Sequence, residues 1–393
     1  MNACPSRRSS PSSRAGVDVL DPARAFRVFH EAGVDFWTGV PDSLLKNLCA
    51  YVSDHAEPRR HVIAANEGGA VAIAGGHYLA TGSPAVVYLQ NSGIGNALNP
   101  LISLADSAVY GLPMLLLVGW RGEPGTVDEP QHLKQGAATI PLLEAAGVPF
   151  SILPDNESAA AATIVSAIES TVASSTPHAL VIRKGTFAPY TPNAARENAL
   201  PMTREEAIIA VTEAVEDTAV VIATTGKTSR ELYEHRARTG SNADRDFLTV
   251  GSMGHASQIA LGIDMSSDDR PVWVLDGDGA LLMHLGAIGT IAEHASRHFK
   301  HVVLNNQVHD SVGGQPTATT RLELPDLARA AGYRHAASVS DPAALPPALA
   351  LLRDAAGPAL LEIRVRPGAR ADLGRPTSTP GENKIRLMKF LAQ

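Results

Sequence analysis

Two apolar runs in the second half of the chain end in residues suited to holding a cation. Val272-Trp273-Val274-Leu275 leads into Asp276-Gly277-Asp278-Gly279, and Val302-Val303-Leu304 leads into Asn305-Asn306, with Asn306 lying 28 residues after Asp278. Parallel strands gather ligand-binding groups at their carboxyl ends, so a carboxylate and an amide one strand-helix-strand unit apart converge there. Glycines on both sides of Asp278 leave the carboxylate unobstructed and let a phosphate approach the backbone. Hard Mg²⁺ takes oxygen ligands in octahedral array and completes its shell with waters and phosphate oxygens. The protein share expected here is Asp278, Asn306 and the carbonyl of Val308. A lone Gly-Asp-Gly is weak evidence, since most such tripeptides are turns. The competing reading is a Rossmann-like domain in which the tripeptide is a turn and the Asn pair caps the next helix.

Gly277-Asp278-Gly279 with Asn305-Asn306 resembles the signature of thiamine diphosphate enzymes. The resemblance implies that Gly277, Asp278, Gly279, Ala280 and Asn306 hold the diphosphate and its Mg²⁺. Upstream, Gly251, Met253, Gly254 and His255 precede a helix and would add backbone donors. Thr225, Gly226, Thr228 and Ser229 would add hydroxyls and a close backbone. The Gly226-Lys227-Thr228 string invites a nucleotide P-loop, but position 221 is Val where that motif needs its first glycine, so the P-loop is rejected.

In the first half, Asn66-Glu67-Gly68-Gly69-Ala70 joins a strand to a helix. On its own, Glu67 reads as a helix-start carboxylate favoured by the dipole. The neighbourhood resembles the pyrimidine-binding domain of the same family, which implies that Glu67 hydrogen-bonds the aminopyrimidine ring of the cofactor. That bond favours an imino tautomer able to deprotonate the thiazolium; the ylid then attacks a 2-oxo acid, and CO₂ leaves into an enamine. In the family the two cofactor ends are held by different domains, usually of different subunits, which implies at least a homodimer.

The substrate is carried by other stretches. Thr38-Gly39-Val40-Pro41-Asp42-Ser43, Gln90-Asn91-Ser92-Gly93-Ile94-Gly95-Asn96 and Gly119-Trp120-Arg121-Gly122-Glu123-Pro124-Gly125 resemble the phosphonopyruvate decarboxylase family, with the sulfopyruvate decarboxylases as its nearest relatives. Asp128-Glu129-Pro130-Gln131-His132 and Arg183-Lys184-Gly185-Thr186 extend the match, which covers about residues 17 to 393. The resemblance implies decarboxylation of 3-phosphonopyruvate to phosphonoacetaldehyde, a step that draws carbon–phosphorus bond formation toward phosphonate natural products, antibiotics among them. A small anionic 2-oxo acid with a second acidic group calls for cations, and Arg grips a phosphonate with two parallel donors. Arg121 and Lys184 each follow a strand and are the candidates, with Asp42, Asn91 and Ser92 on neighbouring loops. A proton must reach the enamine carbon before aldehyde release. His132, the His309-Asp310 pair and Asp42 are candidates that the sequence does not rank. Sulfopyruvate decarboxylase and an acetolactate-type carboligase are the alternative enzymes. A non-catalytic regulatory subunit is disfavoured by the joint presence of Glu67, Asp278 and Asn306.

These residues need strand ends to present them, and the sequence supplies strands throughout. Apolar runs at 61–65, 85–90, 114–120 and 179–184 alternate with helix patterns at 43–55, 67–81, 97–110 and 158–174. After Pro189-Tyr190-Thr191-Pro192-Asn193 a helix starts at Thr203, a long helix pattern covers 281–295, and strands follow at 219–225, 247–251, 271–276, 301–306 and 359–365. The expected architecture is α/β: two doubly wound parallel-sheet domains and no middle domain. Their expected bounds are 17–188 for the pyrimidine-binding domain, 189–200 for a linker and 201–393 for the diphosphate- and Mg-binding domain.

Residues 1–16, rich in Ser, Pro and Arg, read as a disordered leader without the apolar core of a signal peptide; a short organelle transit peptide is the other reading. With 33 Lys and Arg against 40 Asp and Glu and no basic block, a nucleic-acid partner is not expected. No apolar run reaches the ~20 residues of a membrane span. Cys4 and Cys49 alone make neither a disulfide framework nor a cysteine metal site. A cytoplasmic homo-oligomer is the expected state.

Overall fold

Among the described residues, twelve short strands form two six-stranded sheets, in which every strand pairing is parallel. A computed structural model of the chain describes residues 19–193 and 200–393. The expected leader and residues 194–199 of the expected linker lie outside the described residues. The first sheet comprises β1 (Trp37–Gly39), β2 (His61–Ile63), β3 (Ala85–Gln90), β4 (Met114–Gly119), β5 (Phe150–Ile152) and β6 (His178–Ile182), in the order β2-β1-β3-β4-β6-β5. The second comprises β7 (Val220–Ala223), β8 (Asp246–Leu248), β9 (Val272–Gly277), β10 (Phe299–Asn305), β11 (His335–Val339) and β12 (Ala359–Arg364), in the order β11-β12-β10-β9-β7-β8. Read from its other edge, the second order repeats the first. The chain therefore contains one topology twice, with a direction switch between β1 and β3 and again between β7 and β9. Crevices at such switch points are where open α/β sheets bind ligands.

Continuous apolar runs make the central strands because both sheet faces are covered. On one face of the first sheet, Trp37, Val86, Tyr88, Leu115, Leu117 and Leu180 are buried with Phe29 and Ile164 from helices. On the other, Val87, Leu89, Leu116 and Val118 are buried with Val71, Ala74 and Leu143. Trp273, Leu275, Val302 and Leu304 alternate in the same way with Val272, Val274 and Val303 in the second sheet.

The helix Glu67–Thr81 begins where expected: the Asn66 side chain accepts from the backbone N–H of Gly69, and Gly82 ends the helix at φ 73°. Thr203 is the N-cap of Arg204–Ala214, in a reciprocal capping box with Glu206. The helix expected over 97–110 is instead a short helix, Ile94–Pro100, a wider turn over Leu101–Ala105, and then an irregular segment. The single helix expected over 281–295 is two, Asp278–Met283 and Ala287–His294, interrupted where the ring of His284 packs against His255 with centroids 4.3 Å apart. β1, β5 and β11 were not expected; the first two have three residues each, too few to show a period.

The described part of the expected linker is docked on the first domain, where Tyr190 Oη and the Asn193 N–H donate to Asp54 at 2.9 and 2.8 Å. At the far edge of the second sheet, β8 is covered by the helix Pro380–Leu391. The side chain of Asn383, buried there, accepts from Leu248 N–H at 3.0 Å and donates to the Asp246 carbonyl at 2.8 Å, so one amide satisfies the outward groups of the strand. Among the described residues no helix is long and apolar enough to cross a membrane.

Candidate active site

The carboxyl edge of the second sheet gathers the residues expected around the metal. β9 and β10 pair with Gly277 opposite Leu304, which places Asp278 and Asn306 just beyond adjacent strand ends. Asp278 is 3% exposed and opens the helix Asp278–Met283. Its Oδ2 accepts from Thr317 Oγ1 at 2.5 Å and Thr319 Oγ1 at 2.9 Å. No cationic side chain pairs with it among the described residues, and burial pushes its pKa up to about 6 against the pull of the two threonines. Neither threonine was expected from sequence. They arrive because the chain after β10 folds back on itself: Val308 bridges Pro316, and Thr317 N–H donates to the Gln307 carbonyl at 2.9 Å. Gln307 turns at φ 60°, and the Asn306 side-chain oxygen accepts from Val308 N–H at 3.1 Å. A buried carboxylate, an amide oxygen and a carbonyl within one loop system, with no competing cation, fit a hard divalent ion.

The neighbouring loops close around this point. Gly254 (φ 86°) lies against the start of the Asp278–Met283 helix: a Cβ there would come 2.8 Å from the Ala280 carbonyl and 2.6 Å from His284 Cδ2. The stretch with Gly251, Met253, Gly254 and His255 therefore flanks Gly277, Gly279 and Ala280. After β7, Gly226 (φ 96°) precedes the helix Lys227–Thr239. Thr225 is half-buried beside it, and Thr228 and Ser229 are buried. The Ser229 hydroxyl donates to the Thr224 carbonyl at 2.7 Å, so its proton holds the turn and is not free for a ligand. His309 packs on Gly279, whose added Cβ would lie 3.1 Å from its Cε1, and burial lowers the His309 pKa to about 4, keeping the ring neutral. Asp310, next to it in the chain, is tied to Arg204 at 2.9 Å and Lys227 at 3.3 Å.

The carboxyl edge of the first sheet carries the second group. Glu67 is 5% exposed and its Oε2 accepts from Asn96 Nδ2 at 2.8 Å. Burial raises its pKa against the pull of Asn96. A Cβ at Gly93 would overlap the Glu67 carboxyl, so glycine there keeps Oε1 reachable. Neither Asn96 nor Gly93 was expected to touch Glu67, although both lie in the quoted 90–96 stretch. Asn91, buried, donates to the Arg121 carbonyl at 2.8 Å and to Thr139 Oγ1 at 2.9 Å, and Ser92 accepts from Gln90 at 2.7 Å.

Asp42 is fully buried, with Oδ2 accepting from Leu44 N–H at 2.7 Å and Oδ1 left without a partner. Burial pushes its pKa up to about 6, against the Leu44 bond and the Arg121 charge. Arg121 is half-buried and already gripped: Nε and Nη2 donate to Asp128 at 2.8 and 2.5 Å, and Nη1 to Ser43 Oγ at 2.8 Å. Its two parallel donors, expected on a phosphonate, are thus held by Asp128, seven positions on, which the sequence offered only as part of a family-like stretch. His132, buried at the start of the helix Pro130–Ala145, has its pKa lowered by burial and by Arg121, and its Nδ1 has no partner. Lys184 is exposed in the turn after β6, whose Ile182 pairs with Gly119 of β4, so it lies at the same sheet edge as Arg121.

Asp42, Glu67, Asn91, Arg121 and His132 thus share one sheet edge, and Asp278, Asn306, Val308 and His309 the other. Within the chain the two edges meet at their margins. A Cβ on Gly251 would touch Gln131 Cβ at 3.4 Å, and Arg375 pairs with Glu129. No hydrogen bond among the described residues links Glu67 to the Asp278 group.

Two family models match. The N-terminal TPP binding domain of thiamine pyrophosphate enzymes matches residues 23–139, and the C-terminal TPP binding domain matches residues 224–363. Phosphonopyruvate decarboxylase of Streptomyces hygroscopicus is 37% identical over 379 residues, 92% of this chain and 91% of that protein. The enzyme of the same name from Streptomyces viridochromogenes is 37% identical over 377 residues, 91% of this chain and 92% of that protein. Sulfopyruvate decarboxylase of Methanosarcina acetivorans is 27% identical over 346 residues, 82% of this chain and 85% of that protein.

Proposed function

The chain belongs to the thiamine pyrophosphate enzymes as a decarboxylase, and from that premise we propose that it converts 3-phosphonopyruvate to phosphonoacetaldehyde and CO₂. The observation that carries the substrate is the 37% identity to two phosphonopyruvate decarboxylases along nine-tenths of the chain, against 27% to a sulfopyruvate decarboxylase. Thiamine diphosphate, when bound, supplies a thiazolium that accepts the electron pair released as CO₂ leaves.

The chain's own residues hold and direct that chemistry. Asp278, Asn306 and the Val308 carbonyl would hold Mg²⁺ and through it the diphosphate, with Thr317 and Thr319 fixing the Asp278 carboxylate. Glu67, kept prone to carry a proton by burial and steadied by Asn96, would place that proton on the aminopyrimidine ring. Asp42 and Arg121 would face the anionic 2-oxo acid, with Ser43 and Asp128 fixing the guanidinium plane. His132 and His309, with Asp42, would be the groups that bring a proton to the carbon that has lost CO₂. The first domain (17–188) takes the pyrimidine end, the second (201–393) the diphosphate end, and residues 189–200 join them. By resemblance to a family whose two cofactor ends are usually held by different subunits, a homo-oligomer of at least two copies, working in the cytoplasm, completes the reading.

An aldehyde-release assay with phosphonopyruvate, sulfopyruvate and pyruvate, each with and without thiamine diphosphate and Mg²⁺, tests this. Phosphonopyruvate should be the preferred substrate. A higher kcat/KM on sulfopyruvate, or equal rates on pyruvate, would overturn the phosphonate assignment.

A further inference from the structure

The string Gly226-Lys227-Thr228 is not a phosphate loop, and the structure gives its lysine another task. Arg204 opens the helix Arg204–Ala214, while Lys227 and Glu231 lie in the first two turns of the helix Lys227–Thr239. Arg204 donates to both oxygens of Glu231 at 2.7 and 2.9 Å and, through Nη1, to Asp310 Oδ2 at 2.9 Å. Lys227 Nζ donates to the Asp310 carbonyl at 3.1 Å and lies 3.3 Å from its Oδ2. Gly368 N–H donates to the remaining oxygen, Oδ1, at 3.1 Å. The four side chains form a charge-balanced set, two cations and two anions. The side chains of Arg204, Glu231 and Asp310 are 6, 1 and 13% exposed.

Asp310 stands in the middle of the loop, residues 306–319, that carries Asn306 and Val308 at one end and Thr317 and Thr319 at the other. The loop's own backbone bonds, Thr317 N–H to Gln307 and His309 N–H to Gln315, close its neck. Among the described residues, every donor to the Asp310 carboxylate comes from outside the loop, on two helices and the segment at Gly368. A buried ionic set of this kind contributes little net stability, because desolvating its charges costs about as much as their attraction returns. Its value lies in fixing position.

We propose that Asp310, held by Lys227 and Arg204, is a positioning residue that keeps the 306–319 loop in its ligand-presenting shape before metal and cofactor arrive. The proposal rests on the thiamine diphosphate reading. Ordering a loop before binding removes a cost that the ligand otherwise meets, and apparent affinity falls in proportion to the competent fraction.

The test is calorimetric titration of metal-stripped, full-length protein with thiamine diphosphate at saturating Mg²⁺, alongside kcat at saturating cofactor. The parent is compared with Asp310→Asn, Lys227→Met and Lys227→Arg. Asp310→Asn and Lys227→Met should raise the Kd for thiamine diphosphate by about tenfold or more, as a competent fraction reduced to about a tenth requires. Lys227→Arg, which keeps the charge, should restore most of the affinity, and in both Lys227 variants kcat at saturation should stay within about threefold of the parent. Should Asp310→Asn misfold, the Lys227 pair still decides. Parent-like affinity in Lys227→Met would overturn the proposal. So would parent-like affinity with a collapsed kcat in Asp310→Asn, which would make Asp310 a proton-handling group. A parent that binds no thiamine diphosphate would instead overturn the cofactor reading, and the proposal with it.

Discussion

Replacing Asp42 by an asparagine should change how stability depends on pH, by an amount the structure sets. Asp42 is fully buried, has one oxygen without a partner, and carries a pKa raised from 3.8 to about 6 chiefly by burial. A carboxyl whose pKa is raised on folding favours the folded state while protonated. That contribution is full below 3.8 and is lost as pH rises through about 6. At about 1.4 kcal/mol per unit, the whole shift corresponds to roughly 3 kcal/mol. Between about pH 5 and pH 7.5 the linkage integral gives roughly 1.4 kcal/mol, since at the lower pH the folded carboxyl is about nine-tenths protonated. The amide of Asp42→Asn would not titrate, while every other group titrates alike in both proteins and cancels. Urea unfolding of the cofactor-free parent and Asp42→Asn at the two pH values measures the difference. The variant should gain on the parent by roughly 1.4 kcal/mol at the higher pH. Parallel pH dependences would refute the burial argument and with it the place of Asp42 at the proton-sensitive edge of the first sheet.

Glu67→Gln should leave the circular dichroism spectrum and melting temperature close to the parent's while decarboxylation falls by about 100-fold or more, the usual scale for a lost proton-transfer group; parental turnover would remove Glu67 from the mechanism. Gly93→Ala places a methyl where the Glu67 carboxyl stands, and should cost about tenfold or more in kcat/KM with little change in far-UV signal. A rate equal to the parent's would mean that Oε1 need not be reached. Dialysis against EDTA should abolish activity and added Mg²⁺ restore it, while Asp278→Ala should weaken the response to Mg²⁺; full activity in the chelated protein would dismiss the Asp278 and Asn306 ligand set.

Much of the site was legible because it sits where apolar runs stop. Asp278, Asn306 and Asn91 each follow a strand of six or seven residues, long enough to announce itself and to locate its own end. The helix start located Glu67, since Asn66 and the following glycines mark a junction, but only the family resemblance singled it out from an ordinary helix-start carboxylate. Contacts made by folding back were hidden. Thr317 and Thr319 reach Asp278 across 39 and 41 residues through a loop with no periodic pattern. The partners of Arg121 were hidden for a different reason. Its charge is visible in sequence, but its capture by Asp128 depends on the loop geometry between them, and a guanidinium with two donors already engaged is a fixed plate more than a free clamp. The doubled topology of the two halves was not read from the residues, because strand order is set by connections and not by side-chain identity.

The amide of Asn383 against β8 has a consequence for handling the protein. A sheet edge with free donors and acceptors is a template for another chain, and here one side chain from the helix Pro380–Leu391 occupies that template at the Asp246 carbonyl and the Leu248 N–H. Shortening the chain before Thr379 would spare every candidate catalytic group yet leave a self-adhesive border, so the shortened protein should precipitate where the full chain stays dispersed. Asn383→Ala would do the same in miniature, with turnover per folded molecule unchanged and shelf life reduced.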